Sequence, residues 1–467
     1  MRKLRNFFGG RLFPCALLAV LCAAVLCVAA IWLPRALAPI AIAERLFSLA
    51  AALALAVSRD TPDCKISKLI LPVLLPWVGA FLCILWRRRT PPPRTAPLRA
   101  QTGLLSRIAA ISRRPVLYAG EAEYFPLGSE MSARLIQDLS EAKKFIWLEY
   151  YIVARGNFFG RLLPILREKA KAGLDVRLAY DGFGCSLTLP RAFPNEMKRA
   201  GVKTTVIRPV RFPLRDLNRR NHRKIAAIDG VIAYTGGINL SDEYTGEKIR
   251  FGHWKDTAIR VTGEPARALA ELFADDLQIP MPEVPCEKGG VPCAIVSDGA
   301  KDTERRAGES AIGLLLSSAE RYAYCNTPYL APSEALLTEL KRAADCGTDV
   351  RVLIPHIPDK RTTFLLTRRY ARELLRAGVR IREYRAGFLH AKSVVTDGTH
   401  AFVSSYNLDY RSLYLQAECG VAVQDEEIAE RLKQDFLTAW EESVPVPPAK
   451  FFERVCGAIL RLFAPLM

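Results

Sequence analysis

Residues 221–229 read Asn-His-Arg-Lys-Ile-Ala-Ala-Ile-Asp, and residues 389–397 read Leu-His-Ala-Lys-Ser-Val-Val-Thr-Asp. In both stretches a His and a Lys stand two residues apart, and an Asp follows five residues after the Lys. Asn239 and Asn407 are separated by the same 168 residues that separate the two histidines. A common separation at four polar positions indicates that one structural unit occurs twice in the chain.

Two further repeats support this duplication. Asp-Val-Arg occurs at residues 175–177 and 349–351, and Arg-Ala-Gly-Val occurs at residues 199–202 and 376–379. In each case a helix-like run ends and an apolar, strand-like run begins. Alternation of this kind predicts an α/β fold in which helices cross between strands of one sheet.

The repeated polar residues suit a phosphate site. His222 and Lys224 would point to one face of a strand, and so would His390 and Lys392. If the two copies pack about a pseudo-twofold axis, these side chains and the amides of Asn239 and Asn407 would surround one cavity. One His could then attack phosphorus while the other protonates the leaving oxygen, with the lysines and asparagines stabilising the phosphate. This chemistry needs no metal ion and no cofactor.

The carboxylates near these motifs have two different explanations. Asp229-Gly230 and Asp397-Gly398 lie between strand-like runs, a pattern that predicts tight hairpins and a mainly structural role for both Asp residues. Asp256, 34 residues after His222, and Glu418, 28 residues after His390, are better candidates for orienting the imidazoles. A carboxylate that accepts from one ring nitrogen fixes the tautomer and raises the basicity of the other nitrogen.

The N-terminal region, residues 1–89, predicts attachment to a membrane. Residues 14–33 carry no charge and are long enough to span a bilayer; we favour an uncleaved anchor over a secretory signal. Residues 69–86 form a second uncharged run. Residues 36–57 are interrupted by Glu44-Arg45 and are expected to be interfacial or a third span. Basic residues at both ends of the region favour two spans with cytoplasmic flanks and a cytoplasmic catalytic region.

Composition limits the class of protein. The 467 residues are 50% hydrophobic and 24% charged, which excludes a disordered chain. Residues 1–89 hold 12 Lys+Arg against 3 Asp+Glu, so half of the net charge of +18 lies in the most apolar part of the chain. This placement favours an anionic bilayer over nucleic acid as the partner. The 12 cysteines show no C-x-x-C pair, which predicts neither a zinc site nor a disulfide framework.

The same patterns divide the chain into regions. A Pro-rich linker is predicted at residues 90–104, the first repeated domain at 105–283 and the second at 290–445. Residues 450–467 alternate aromatic and aliphatic residues with Lys and Arg. They predict an amphipathic helix that either lies on a bilayer or packs back on the second domain.

The motifs resemble those of the phospholipase D superfamily and, within it, the bacterial cardiolipin synthases. The resemblance covers nearly the whole chain and includes three further blocks: Gly236-Gly237-Ile238-Asn239, Trp254-Lys255-Asp256 and Asn407-Leu408-Asp409-Tyr410-Arg411-Ser412. Ser404-Ser405 departs from the usual Gly-Ser or Gly-Thr. The resemblance implies two tandem phospholipase D-like α/β domains related by a pseudo-twofold, after N-terminal transmembrane helices.

The resemblance also implies an activity. One phosphatidylglycerol would give a phosphatidyl-histidine and glycerol, and the hydroxyl of a second phosphatidylglycerol would then displace the histidine to give cardiolipin. His222 is expected as the nucleophile and His390 as the acid/base, although the reverse assignment stays open. Asp229 and Asp397 count among the catalytic residues only because the family motif includes them.

A multi-pass protein of the bacterial cell membrane is expected, without nucleic acid as a partner. The alternative with the same site is a membrane-tethered phosphodiesterase that hydrolyses phospholipid or nucleic acid.

Overall fold

A computed structural model describes residues 34–56, 58, 62–74, 76–85, 102–210, 219–284, 289–299 and 306–466. The chain separates into two compact units. One is a helical unit within Met1–Thr90 that includes Leu462–Leu466, and the other is an α/β unit of Pro91–Val210 and Asp216–Arg461.

The described part of the helical unit contains helices α1 (Pro34–Ala56), α2 (Pro62–Leu74) and α3 (Pro76–Leu85). The predicted span at residues 14–33 lies outside the described residues. Residues 69–74 and 76–85 belong to two helices; the sequence had predicted residues 69–86 as a second span, bent at Pro72, Pro76 and Gly79. Of the helices that the structure describes, none combines the length and the apolar character needed to cross a bilayer.

The first domain of the α/β unit begins after a short leading helix and alternates helices with strands. Its elements are α4 (Leu104–Ile111), β1 (Leu117–Phe125), α5 (Gly128–Glu141), β2 (Phe145–Tyr150), α6 (Asn157–Lys171), β3 (Asp175–Asp181), α7 (Phe193–Arg199), β4 (Lys203–Ile207), β5 (Ile225–Ile228), β6 (Ile232–Gly236), β7 (His253–Lys255), β8 (Ala258–Gly263) and α8 (Glu264–Leu277).

The second domain repeats this order and adds short strands and a C-terminal helix. Its elements are β9 (Val291–Asp298), α9 (Ala307–Ser318), β10 (Tyr322–Asn326), β11 (Leu330–Ala331), α10 (Glu334–Asp345), β12 (Asp349–Pro355), α11 (Arg361–Arg376), β13 (Arg380–Tyr384), β14 (Gly387–Leu389), β15 (Ser393–Thr396), β16 (His400–Ser404), β17 (Leu408–Asp409), α12 (Tyr410–Leu415), β18 (Glu418–Gln424), α13 (Glu426–Glu441), β19 (Ser443–Pro445) and α14 (Phe451–Phe463).

The main strands form one 15-stranded sheet whose order is symmetric about its centre. From the antiparallel pair β1–β9, the first domain continues outward as β8, β6, β5, β2, β3 and β4. The second domain continues on the other side as β18, β16, β15, β10, β12, β13 and β19. Apart from the additional edge strand β19, each domain therefore contributes the same sequence of strands, as expected for a pseudo-twofold arrangement.

In both domains three consecutive strands are parallel and the strands nearer the centre of the sheet are antiparallel; β19 pairs antiparallel with β13 at the edge. β2 pairs in parallel with β3, and β3 with β4, through the crossover helices α6 and α7. β10, β12 and β13 do the same through α10 and α11. The predicted α/β fold with two repeated domains is confirmed.

The sheet is buried on both faces. All six residues of β2 are buried, and alternate residues belong to different core clusters: Ile146 and Leu148 to one, Phe145 and Trp147 to the other. Burial of both faces is typical of parallel sheets covered by helices. Polar chemistry must therefore lie at strand ends, which is where the repeated His and Lys residues stand.

Candidate active site

The backbone before β5 connects the two domains directly. Asn221 forms an isolated parallel bridge with Ala417, a residue of the second domain that precedes β18. The N–H of His222 donates to the carbonyl of Ala417 at 2.8 Å, and the N–H of Ala417 donates to the carbonyl of Arg220 at 2.9 Å. This pairing places His222 beside the first residue of β18, Glu418.

The second histidine is placed by the mirror arrangement. β14 pairs in parallel with β7, and Leu389 lies opposite Lys255. The N–H of His390 donates to the carbonyl of Lys255 at 2.7 Å. Short strands from opposite domains thus place His390 beside Asp256.

Each imidazole contacts a carboxylate of the other domain. His222 Nδ1 lies 2.9 and 3.0 Å from the two carboxylate oxygens of Glu418, and His390 Nδ1 lies 2.6 Å from Asp256 Oδ2. The sequence had suggested these two carboxylates, but their spacing related each to the histidine of its own repeat. Spacing along the chain carries no signal of this exchange, which arises because strands of opposite domains pair at the domain junction.

The contact at Nδ1 fixes the role of the other ring nitrogen. When a carboxylate accepts a proton from Nδ1–H, the neutral imidazole carries its lone pair on Nε2. Both histidines are buried, with only 7% of each exposed. Nε2 is therefore the atom of each histidine that can react with a substrate.

The two carboxylates are held differently. The hydroxyls of Ser405 and Ser412 donate to Glu418. Gly237 occupies the position equivalent to Ser405, and a Cβ added there would lie 2.0 Å from Asp256 Oδ1. The pseudo-twofold therefore breaks at the carboxylates, because a serine supports the longer Glu418 side chain and a glycine leaves room for Asp256.

Two buried lysines stand beside the histidines. Lys224 Nζ donates to the carbonyl of His222 at 2.6 Å. Lys392 Nζ donates to the carbonyl of His390 and lies 2.7 Å from His390 Nδ1. Burial, which disfavours an ammonium ion, lowers the pKa of Lys224 to about 8 and that of Lys392 to about 7. An anionic ligand would restore both positive charges, so the pair is suited to a phosphate.

Burial and the lysines also keep the imidazoles neutral. They lower the pKa of His390 to about 3 and hold the pKa of His222 well below its usual value. Burial raises the pKa of Glu418 to about 8, against the opposing effect of Lys224. A neutral imidazole retains the lone pair that nucleophilic attack requires.

The two asparagines each present a buried polar atom toward the site. Asn239 Oδ1 accepts from the N–H of Ile152 at 3.0 Å. Its Nδ2 has no hydrogen-bond partner of normal geometry. Burial raises the pKa of the Tyr244 hydroxyl, and the nearby Asn239 side chain offsets part of this rise. Asn407 Oδ1 is also buried without a partner. Buried polar atoms without partners are costly, which makes both amides candidates for contact with a ligand.

Asp229 and Asp397 have structural contacts. The Asp229 carboxylate accepts from the backbone N–H groups of Lys143, Lys144 and Phe145 at 2.7 to 2.8 Å. Asp397 accepts from three equivalent N–H groups, residues 320–322, at 2.7 to 2.9 Å. Both residues have positive φ angles, 56° and 52°, in the turns after β5 and β15.

These turns lie at the far end of the strands from the histidines. Asp229 stands seven residues after His222 along an extended chain, a span of roughly 23 Å. These contacts support the hairpin interpretation of Asp229 and Asp397, and the catalytic role that the family motif implies for both stays a prediction.

Aromatic rings line the histidines. Tyr151 meets His222 edge-on with ring centroids 4.7 Å apart, and Tyr244 meets His390 edge-on at 5.3 Å. Trp254 has its ring centroid 5.6 Å from that of His390. The sequence analysis assigned no role to Tyr151 or Tyr244, because both lie outside the repeated motif.

A polar network behind the first motif was also missed. Asn221 Nδ2 donates to Glu149 at 2.7 Å and to Asp276 at 3.0 Å, and Arg223 Nη1 donates to Asp276 at 2.6 Å. The equivalent positions of the second motif are Leu389 and Ala391, both fully buried. The sequence did contain a signal for this network. Residues that alternate with His and Lys on a strand face away from them, and these residues are polar in the first motif and apolar in the second.

In the part of the chain that the structure describes, no group of three or more His, Cys, Asp or Glu side chains has a metal-binding arrangement. The lysines and carboxylates described above are charged groups near the two imidazoles, and Lys360 also acts on His222.

Comparison with known proteins agrees with this geometry. The family model described as "Cardiolipin synthase, PLD-like domain" matches residues 135–259 and 314–440, once in each domain. The chain belongs to this family.

Two relatives are about one third identical to this chain over the aligned residues. A cardiolipin synthase of Alkalihalophilus pseudofirmus is 34% identical over 78% of this chain and 76% of its own length. A cardiolipin synthase of Geobacillus sp. (strain WCH70) is 36% identical over 79% of this chain and 76% of its own length.

A solved structure shows the same fold at low identity. The crystal structure of phosphatidylserine synthase from Haemophilus influenzae Rd KW20 has a TM-score of 0.58 and 14% identity, over 78% of this chain and 98% of that one. At this identity the likeness concerns the fold alone.

Proposed function

We propose that this protein is a cardiolipin synthase, which transfers a phosphatidyl group from one phosphatidylglycerol to another and releases glycerol. Its membership of the family supports the reaction. The observation that carries the proposal is the pair of neutral imidazoles, each held at Nδ1 by a carboxylate of the other domain, beside two buried lysines.

In the first step, the lone pair on His222 Nε2 attacks the phosphorus of phosphatidylglycerol. The bond from phosphorus to the glycerol oxygen breaks, and this oxygen takes a proton from His390. The anionic phosphate raises the pKa of His390 because an opposite charge favours the protonated imidazole. His390, neutral in the free protein, thus takes up a proton from solvent when substrate binds, and this is the proton that it gives to the glycerol oxygen.

In the second step His390 acts as a base and His222 as the leaving group. His390 accepts the proton of the terminal hydroxyl of a second phosphatidylglycerol, and the resulting oxygen nucleophile attacks phosphorus. The bond between phosphorus and His222 Nε2 breaks, cardiolipin forms, and His222 is neutral again. Lys224, Lys392, Asn239 and Asn407 are proposed to hold the phosphate oxygens as charge develops on them.

Asp256 and Glu418 are proposed to orient the imidazoles through both steps. Each stabilises the imidazolium that forms when its histidine gains a proton or a bond to phosphorus. Because each carboxylate belongs to the opposite domain, neither domain supplies a complete histidine–carboxylate pair by itself.

We further propose that residues 1–89 attach the protein to the bacterial cell membrane, with the α/β unit on the cytoplasmic side. Support comes from the uncharged run at residues 14–33 and from the excess of basic residues in this region. Fractionation of cells that express the full chain should place it with the membranes.

The test of the reaction uses the detergent-solubilised full chain and phosphatidylglycerol. We expect cardiolipin and glycerol in equal amounts, and neither product from His222→Ala. Release of glycerol without cardiolipin would favour hydrolysis of phospholipid, and degradation of added DNA would favour a nuclease. Full turnover by both His222→Ala and His390→Ala would refute the mechanism.

A further inference from the structure

The C-terminal helix α14 differs from an ordinary surface helix because its apolar face is exposed. Two of its charged side chains pair with the second domain: Glu453 with Arg372 of α11 at 2.9 Å, and Arg461 with Glu334 of α10 at 3.3 Å. Gly457 is buried, and a Cβ added there would lie 3.4 Å from Arg369 Cβ. The helix is therefore held on the second domain by its charged face.

Its apolar face is open. Phe451 is 81% exposed, Phe452 74%, Val455 42% and Ile459 52%. Residues 451, 455 and 459 are four apart, so their side chains follow one another along one side of the helix, with Phe452 beside them. A surface helix of a soluble protein turns this face to the core, so an exposed stripe of this kind marks an interaction surface.

Charge on the exposed side indicates the partner. Lys450 and Arg454, which flank the two phenylalanines in the sequence, are exposed, and neither forms an ion pair within the described residues. If a second copy of the chain covered this stripe, four cations would come together without a counter-ion. An anionic lipid surface instead offers acyl chains to the aromatic side chains and headgroup phosphates to Lys450 and Arg454.

We propose that α14 is an interfacial helix that seats the second domain on an anionic bilayer, with Phe451, Phe452, Val455 and Ile459 among the acyl chains. This contact with the bilayer is proposed in addition to the attachment through residues 1–89. It rests on the proposed function only in that the substrate is a bilayer lipid.

The first experiment measures contact with lipid and requires no turnover. A fluorescent amino acid replaces Phe452 in the full chain, and the protein is reconstituted into nanodiscs of phosphatidylglycerol with brominated acyl chains. We expect strong quenching relative to unbrominated nanodiscs. The matched control carries the same amino acid at Val231, a 37% exposed position in the turn between β5 and β6, and should be unaffected. Equal quenching at both positions, or none at 452, would overturn the proposal.

The second experiment separates docking from chemistry. The double variant Phe451→Ser/Phe452→Ser should raise the KM for phosphatidylglycerol in vesicles by about tenfold or more, since it removes two large apolar side chains from the bilayer. Its kcat on a short-chain, monomeric phosphatidylglycerol should equal that of the unmodified protein, and Val231→Ser should change neither value. Unchanged KM on vesicles would overturn the proposal.

A smaller molecular mass of the double variant in detergent would also overturn it, because the stripe would then be a contact between copies. Failure of the proposed function has a different signature. In that case the unmodified protein would form no cardiolipin from either substrate, while the quenching at position 452 would remain.

Discussion

Each histidine contacts a carboxylate of the other domain, and this arrangement predicts different roles for Glu418 and Asp256. In the proposed reaction Glu418 serves the nucleophile, His222, and Asp256 serves the acid, His390. A leaving group that departs without a proton makes the acid unnecessary. We therefore expect a phosphatidyl ester of p-nitrophenol to rescue the loss of Asp256 but not the loss of Glu418.

The size of the effect follows from the contact that is lost. The His222 ring becomes a cation when its Nε2 bonds to phosphorus, and Glu418→Gln then replaces the hydrogen bond from this charged ring to the carboxylate, 2.9 Å in the free protein, with one to a neutral amide. Such a bond is worth about 1.5–3 kcal/mol, which corresponds to roughly 10- to 150-fold in rate. Asp256→Asn should cause a loss of similar size with phosphatidylglycerol, and almost no loss with the nitrophenyl ester.

The assay is the burst of nitrophenolate that accompanies formation of the phosphatidyl-histidine. We expect a burst of normal rate from Asp256→Asn and His390→Ala, and a slow burst from Glu418→Gln. Glu123→Gln, the same kind of change at a 39% exposed carboxylate, controls for a loss of charge and should behave as the unmodified protein. If the ester rescued Glu418→Gln and left Asp256→Asn slow, the two histidine roles would be the reverse of those proposed.

Three further predictions concern other parts of the site. Because the pKa of Lys392 is about 7, kcat/KM should fall as pH rises through that value. In Lys392→Arg, which keeps the positive charge, the fall should move toward the pKa of Lys224, about 8. If the pH profile of kcat/KM were the same in this variant as in the unmodified protein between about pH 6 and pH 10, the prediction would be contradicted. Gly237→Ala would place a Cβ 2.0 Å from Asp256 Oδ1, so its turnover of phosphatidylglycerol should be low, while its burst of nitrophenolate from the nitrophenyl ester should keep its normal rate. Asp229→Ala should lower the free energy of unfolding by about 1–3 kcal/mol while leaving kcat per folded molecule unchanged, measured by denaturant unfolding alongside active-site titration; a lower kcat with normal stability would make Asp229 catalytic.

Much of the fold followed from patterns that depend on local chain geometry. The Asp-Gly turns after β5 and β15 were predictable because residues with positive φ favour Gly and Asp. The strands that begin at Asp175 and Asp349 were marked by the change from helix-like to strand-like runs. The sequence also predicted a span at residues 69–86, and there the structure has the ends of two helices, α2 and α3.

The polar network behind the first motif was open to sequence reasoning in part. Asn221 and Arg223 differ from Leu389 and Ala391 at positions that face away from the site. That difference indicates a polar environment behind the first motif alone. Nothing in the sequence identifies Glu149 and Asp276 as the partners, because they come from other elements of the domain.

The sequence by itself determined that the chain contains two copies of one α/β unit, and it predicted that His222, Lys224, His390 and Lys392 belong to its chemistry. These conclusions rest on periodicity and on a common separation, both of which are properties of the linear chain. The tertiary structure alone decided which carboxylate serves which histidine. Glu418 and Asp256 exchange partners because Ala417 and Lys255, the residues just before them, pair with backbone of the opposite domain. Such pairing depends on how two sheets join edge to edge, and neither repeat encodes this within its own sequence.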